Sequence, residues 1–496
     1  MSRRGPLGLY RVEGASMEPA YQAGDLLLGL RWFRPRAGQV VVAWHGGRPL
    51  IKRLTGLTPD GVWLAGDNAA ASTDSRHFGA LPHSAIEALI ISKLPAPWLA
   101  PAILAVLLVL AAALVAGRPS GALAPRSSGQ PTTSASPAAT PAPYAVSSGA
   151  APGFAATLPP GYVIHQFASG LGAARDLVFT PGGTLLVSNP DARTVTALPD
   201  ANHDGLADSA AVILHGGEDT HGLAFYQGQL YVAELTRVVR YHWDESTLTA
   251  SFDKALFDLP SPNPDHNKRT LAISPDGRLF VSVGSTCNVC HEPDGRDATV
   301  IVSDTNGASP RVYATGLRNA AFLAINPATG ELWSTEMGRD YLGDNLPPDE
   351  IDLVRDGQDY GWPICYGDRV HDTSFDHNTY IADPCARTAP PLWPVPAHNA
   401  PLGLAFIKSA QFPADQQGDL LVAYHGSWNR TVPDGYKVVR LHVQGNTITG
   451  STDFLTGFIS GRTVSARPVD LVFDATGSLY LSDDKTGTIY IIQKQP

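Results

Sequence analysis

Four groups of residues in this chain could do chemistry. Lys52 lies in LIKRLTG, directly behind Leu50 and Ile51. Desolvation of that kind lowers a lysine's pKa until the neutral amine can take a proton from a serine hydroxyl. His266 stands in PDHNKRTLAISPDGRLFVSVG, just ahead of a short apolar run, where an imidazole can point into a cavity mouth and act as a general base. Two motifs suggest prosthetic groups. Cys287-Asn-Val-Cys290-His291 has the spacing of c-type haem attachment. Asp200-Ala-Asn202-His-Asp204-Gly205 with Asp208 has the alternating oxygens and turn glycine of a calcium loop, against the plainer reading of a solvated polar turn.

The elements that must position His266 repeat along the chain. LVFTPGGTLLVSN, LAFYQGQLYVAE, LAISPDGRLFVSVG, LAINPATGELWSTEMG, LAFIKSAQFPADQQGDLLVAYHG and LVFDATGSLYLSDD begin at Leu177, Leu223, Leu271, Leu323, Leu404 and Leu471. Each reads as two strands joined by a tight turn. One such unit cannot bury both faces of its sheet, so the spacing predicts a six-bladed β-propeller with insertions in the fourth and fifth units. YVIHQFA near Tyr162 and IYIIQKQ near Ile489 are the strands expected to pair and close the ring.

The 496 residues are too many for one core. Residues 98–117, WLAPAILAVLLVLAAALVAG, carry no charge and have the length of one membrane-spanning helix. Residues 118–155 are rich in Pro, Ser, Thr, Ala and Gly and read as a flexible linker. This leaves a small domain over 1–95 and the propeller over 156–496. Residues 1–97 carry 11 Lys+Arg against 7 Asp+Glu, and the remainder 25 against 39, so the two parts are +4 and −14. All four cysteines lie in the second part, as suits an oxidising exterior. The expected arrangement is a single-pass membrane protein, with the amino-terminal domain cytoplasmic and the propeller extracellular or periplasmic. An acidic propeller without a phosphate loop or basic patch argues against nucleic-acid partners.

Two resemblances add roles. VEGASMEPAYQAGDLLL, LIKRLTG and GDNAAASTDSRHFG resemble, in order, the boxes of signal-peptidase-type Ser/Lys serine proteases, close to those that mature superoxide dismutase. The resemblance implies a small all-β domain acting on a peptide, with Ser16 as nucleophile, Lys52 as base, the Ser16 N–H as oxyanion donor, and Asp74, Ser75 and Arg76 as scaffold. Downstream, YATGLRNAAFLAINPATGELWSTEMGRD, DEIDLVRDGQDYGWP, HGSWNRTVPDGYKVVRL and ARPVDLVFDATGSLYLSDD resemble the soluble pyrroloquinoline quinone (PQQ) sugar dehydrogenases and the sorbosone dehydrogenases. That resemblance implies hydride transfer from a sugar, or a related aldehyde or alcohol, to PQQ and on to an external acceptor, with His266 as base. Arg318, Asn319, Trp428, Asn429, Arg430 and Arg467 would contact the cofactor. Gly338 and Arg339 would offer carbonyls to its calcium, and Asp349, Glu350 and Tyr360 would lie at a structural calcium.

The chain departs from the glucose-oxidising branch at Ser285, where that branch has an acid supporting the histidine, and at Val469, where it has an arginine. TCNVC is a feature of the sorbosone branch, so a small disulfide loop is favoured over haem at Cys287, Cys290 and His291. Cys365 and Cys385, flanking the insertion, form the second expected pair. Two other functions fit a six-bladed propeller: a calcium lactonase using Asn319, Asp349 and Glu350, or a ligand-binding module that leaves catalysis to the protease.

Overall fold

The computed structural model describes residues 7–93 apart from short stretches, and residues 149–495 apart from 261–265. The chain divides into two compact units, residues 1–137 and 138–496. The expected membrane helix at 98–117 lies outside the described residues. Among those described, no helix is long and apolar enough to cross a membrane.

The first unit is a six-stranded antiparallel sheet. Strand Arg48–Thr58 carries the lysine and pairs with Val40–His45, setting Lys52 opposite Val41. The outward-pointing alternates of the sheet bury two apolar clusters, one around Met17, Leu27 and Val42 and one around Val41, Leu54 and Leu64. A single helical turn, Ser75–Phe78, follows the acidic box.

The second unit contains six four-stranded antiparallel sheets among its described residues. Each predicted repeat start falls on the first strand of a sheet: Leu177–Phe179, Leu223–Tyr226, Leu271–Ile273, Ala320–Ile325, Pro401–Phe406 and Pro468–Phe473. The alternating apolar residues explain this, because each strand must bury side chains on both faces between neighbouring sheets. Leu186 and Val195 of the first sheet pack with Leu223 and Leu230 of the second. Leu177 and Leu185 pack with Tyr480 and Ile489 of the sixth. The expected terminal partners do pair: Tyr162–Ala168 is the fourth strand of the last sheet, with Ile491 opposite His165. Both expected disulfides are formed, Cys287–Cys290 and Cys365–Cys385.

Candidate active site

In the first unit the lysine ammonium lies 2.7 Å from Ser16 Oγ. Lys52 is 4% exposed, and burial lowers its pKa while Asp74 works weakly in the opposite direction. The turn that presents Ser16 is fixed from behind. Asn68 N–H donates to Ser16 O at 3.0 Å, and a Cβ at Gly66 would lie 2.4 Å from the same oxygen, so glycine is required for this approach. Asp74 accepts from Gly66 N at 2.8 Å, Ser72 Oγ at 2.6 Å and Arg76 Nη2 at 2.6 Å, and these donors hold its carboxyl well below the usual range. The acidic box is therefore a scaffold around a preformed Ser/Lys pair.

In the second unit a cavity of about 250 Å³ is lined by Arg175, His266, Asn267, Lys268, Asn319 and Met337, with Ala321 and Leu402 on its apolar wall. His266 Nδ1 lies 3.0 Å from the Ser285 carbonyl oxygen. A carbonyl only accepts, so Nδ1 carries the proton and Nε2 keeps its lone pair. Ser285 Oγ donates to Cys287 O at 2.7 Å and lies 3.0 Å from the same Nδ1. The serine thus replaces the expected acid through its backbone carbonyl. Burial, followed by the positive charge of Arg318, lowers the His266 pKa to about 3, so the imidazole is neutral at working pH. A Cβ at Gly284 would sit 2.5 Å from His266 Cβ, and only glycine lets the imidazole stand where it does.

Two lining cations, Arg175 and Lys268, were not legible as site residues. Lys268 Nζ pairs with Asp219, and Arg175 Nη1 pairs with Asp484 Oδ2 at 2.6 Å. Behind Arg175, His425 Nε2 lies 2.9 Å from Asp484 Oδ1, and His221 accepts from Arg175 Nε at 3.2 Å. Each of these residues stands within about a turn of a repeat start, ahead of the first strand or behind the second. That position was the available signal.

The residues assigned to the cofactor by resemblance do not all converge on the cavity. Asn319 lines it. Arg318 is not among the lining residues, and all five of its N–H donors are occupied: Nε by Asn288 O at 2.8 Å, Nη1 by Met337 O and Gly338 O, and Nη2 by Asn288 Oδ1 and Asp340 Oδ2. Arg467 donates to His425 O and Gly426 O and stacks over Tyr436. Arg430 donates to the carbonyls of Asp344 and Ala397. Asn429 bonds Asp340 Oδ1 at 2.6 Å, and Trp428, 54% exposed, meets Tyr341 edge-on. Val469, on the first strand of the sixth sheet, is fully buried in an apolar cluster with residues of the fourth and fifth sheets, a setting that suits valine and not arginine.

The residues assigned to metal separate likewise. A second cavity of about 20 Å³, the size of one water or ion, is lined by Glu336, Glu350, Gly338, Arg339, Tyr360 and Asp372, among others. Glu336 pairs in register with Glu350, and Asp352 lies two residues on along the same face. Burial raises all three carboxyls, Glu350 to about 7. Glu336 Oε2 and both Asp352 oxygens have no hydrogen-bond partner. Asp349 points elsewhere, accepting from Gly338 N and Ala400 N. The Tyr360 hydroxyl is committed to Leu353 O and Arg355 N. Asn319 and Asp349 therefore do not form a common lactonase-type centre with Glu350. At the 200–208 loop, Asp200 accepts from Asp204 N and Gly205 N, Asp208 from Ala201 N, and Asn202 bonds Asp204. Cys287 and Cys290 are joined to each other, so the haem attachment pattern is occupied by a disulfide.

An all-β unit with a half-buried, neutral histidine in a cationic cavity defines a class. Residues 156–495 match the TrAA12-like family, and the chain belongs to it. The pyrroloquinoline quinone-dependent pyranose dehydrogenase of Coprinopsis cinerea is 27% identical over 414 residues, covering 69% of this chain and 55% of that enzyme, so the chain spans about half of its length. The holo form of the pyranose dehydrogenase PQQ domain from the same organism superposes with a TM-score of 0.59 at 25% identity, covering 69% of this chain and 98% of that one. Residues 1–79 match the Peptidase S24-like family. Mitochondrial inner membrane protease subunit 1 of Mus musculus is 31% identical over 114 residues, 18% of this chain and 69% of that protein. The chain thus joins a mainly β, TrAA12-like unit, similar to PQQ-dependent sugar dehydrogenases, to an S24-like unit.

Proposed function

We propose that the second unit is a PQQ- and calcium-dependent dehydrogenase that oxidises a sugar or a related aldehyde or alcohol, its six sheets closed into one propeller by the Tyr162–Ala168 strand. The observation that carries this reading is the cavity itself. PQQ is a flat tricarboxylate, and the lining offers it two cations, Arg175 and Lys268, two amides, Asn267 and Asn319, and apolar plates from Met337 and Leu402. Asn267 Oδ1, buried and without a partner, is open to a donor on a ligand. When bound, the quinone supplies a two-electron acceptor for hydride. The chain's part is to bind the substrate hydroxyl at His266 Nε2 and take its proton. The neutral imidazole is ready for this because Nδ1–H is held by Ser285.

Calcium, a hard cation that prefers oxygen ligands, suits the buried carboxyl oxygens gathered at Glu336, Glu350 and Asp352, of which Glu336 Oε2 and both Asp352 oxygens lack a partner, with carbonyls from Gly338 and Arg339 nearby and the 200–208 loop as a further, exposed candidate. The first unit is proposed to be a Ser/Lys endopeptidase, Ser16 attacking a peptide with Lys52 as base. Residues 98–117 would tether the chain, leaving the peptidase cytoplasmic and the propeller outside. Purified full chain in detergent, supplied with PQQ and calcium, should reduce a dye acceptor with aldoses. No dye reduction with any aldose or aldehyde at full PQQ loading rejects the assignment.

A further inference from the structure

Two of the features closest to His266 depend on one short loop. Ser285, whose carbonyl oxygen accepts the hydrogen bond from His266 Nδ1–H, is itself tied to Cys287 O through its hydroxyl and to Arg318 O through its N–H at 2.7 Å. Asn288, enclosed between Cys287 and Cys290, makes the remaining connections. Its backbone oxygen accepts from Arg318 Nε at 2.8 Å and from Trp362 Nε1 at 3.3 Å. Its side-chain oxygen accepts from Arg318 Nη2 at 3.0 Å and Asp340 N at 2.7 Å, and its amide donates to Asp340 O at 3.2 Å. A guanidinium with every donor occupied is fixed in place rather than available to a ligand.

We propose that Asn288, held by the Cys287–Cys290 disulfide, is a positioning residue that sets both the tautomer of His266 and the cation beside it. The proposal rests on the dehydrogenase reading for its consequence in turnover, but not for its geometry. The disulfide closes the loop, the loop fixes Asn288 and the Cys287 carbonyl, and these fix Arg318 and Ser285. Arg318 then faces His266 from the fourth sheet. Arg269, whose Nη1 donates to His266 O at 2.9 Å and which is itself countered by Asp297, faces it from the third. Lys268 and Arg175 complete the charged groups around the cavity. Releasing Asn288 should let Arg318 and Ser285 move away, removing a repelling charge and admitting water. Both changes favour the protonated imidazole.

The test is the pH dependence of His266 modification by diethyl pyrocarbonate, followed by peptide mass spectrometry on the full chain in detergent. Asn288→Ala should raise the midpoint by about one pH unit or more. Asn288→Gln, which keeps an accepting amide oxygen and adds no charge, should give a midpoint between those of the parent and Asn288→Ala. Cys287→Ser/Cys290→Ser, which retains Asn288, should give the same rise and carries the test should Asn288→Ala not fold. At equal PQQ loading, kcat of Asn288→Ala should fall about tenfold with little change in cofactor Kd. An unchanged midpoint in Asn288→Ala and in the cysteine double variant overturns the proposal. The modification assay needs neither PQQ nor sugar, so a parent chain that fails to turn over rejects the dehydrogenase reading while the midpoints still decide this one.

Discussion

Lys268→Met removes one of the two cations that line the cavity and leaves its partner behind. The lysine is 32% exposed and its partner Asp219 19% exposed, so neither charge is fully solvated. A charge-assisted hydrogen bond to a cofactor carboxylate contributes about 1.5–3 kcal/mol. Deleting the lysine also leaves Asp219 facing an anion, and at an effective dielectric near 20 that repulsion is on the order of 2 kcal/mol over about 8 Å. At about 1.4 kcal/mol per tenfold, the single variant should bind PQQ at least about 100-fold more weakly than the parent. Asp219→Asn/Lys268→Met should recover about tenfold or more of that loss by removing the stranded charge. Absorbance titration with PQQ in the presence of calcium reads both constants. A Lys268→Met variant that binds like the parent, or a double variant no tighter than the single, would refute the reasoning.

Other outcomes follow from the same geometry. His266→Ala should bind PQQ like the parent yet lose about 10²–10⁴-fold in kcat, measured by dye reduction. Ser16→Ala should abolish cleavage of a fluorogenic peptide without changing the dehydrogenase. In the parent, peptide cleavage should rise with pH until the lowered Lys52 pKa is passed. The same lowered pKa makes protonated Lys52 a cost to the folded state, fully present below its folded pKa and relieved above the unfolded one. Lys52→Met should therefore raise the Tm of the first unit at neutral pH while removing activity, by about 4–8 °C per kcal/mol recovered. Burial raises the Glu350 carboxyl to about 7 and raises those of Glu336 and Asp352 beside it. Without calcium their contribution to stability is fully present below about pH 4 and is lost as pH rises through 7. Differential scanning calorimetry should show Tm falling across that window in chelator, and much less in calcium.

The repeat phrases located all six first strands because burial imposes a period of two on each strand, a turn interrupts it inside every phrase, and the phrase recurs with each sheet. Lys52 was legible from its apolar neighbours, and His266 from its place ahead of a repeat. Lys268 and Arg175 were not, since a lysine or arginine near a strand end is usually a solvated charge, and only the packing of the sheets brings these two to the cavity wall. Arg318 failed in the other direction. Its residue type suggested a grip on a cofactor carboxylate, but backbone carbonyls of 288, 337 and 338, the Asn288 amide oxygen and the Asp340 carboxylate use all its donors. Local pattern reports which face a residue takes, whereas the number of partners meeting it there depends on contacts far apart in the chain. The same holds for Glu336 and Asp352, whose pairing across two strands becomes visible only once the register is known.

The most direct measurement is stopped-flow absorbance of the full chain loaded with PQQ and calcium and mixed with an aldose. Reduction of the bound quinone in a first-order phase that is lost in His266→Ala, with the cofactor still bound, is the result expected. Quinone that stays oxidised in the parent, or is reduced as fast in His266→Ala, would contradict the assignment of this cavity and its imidazole.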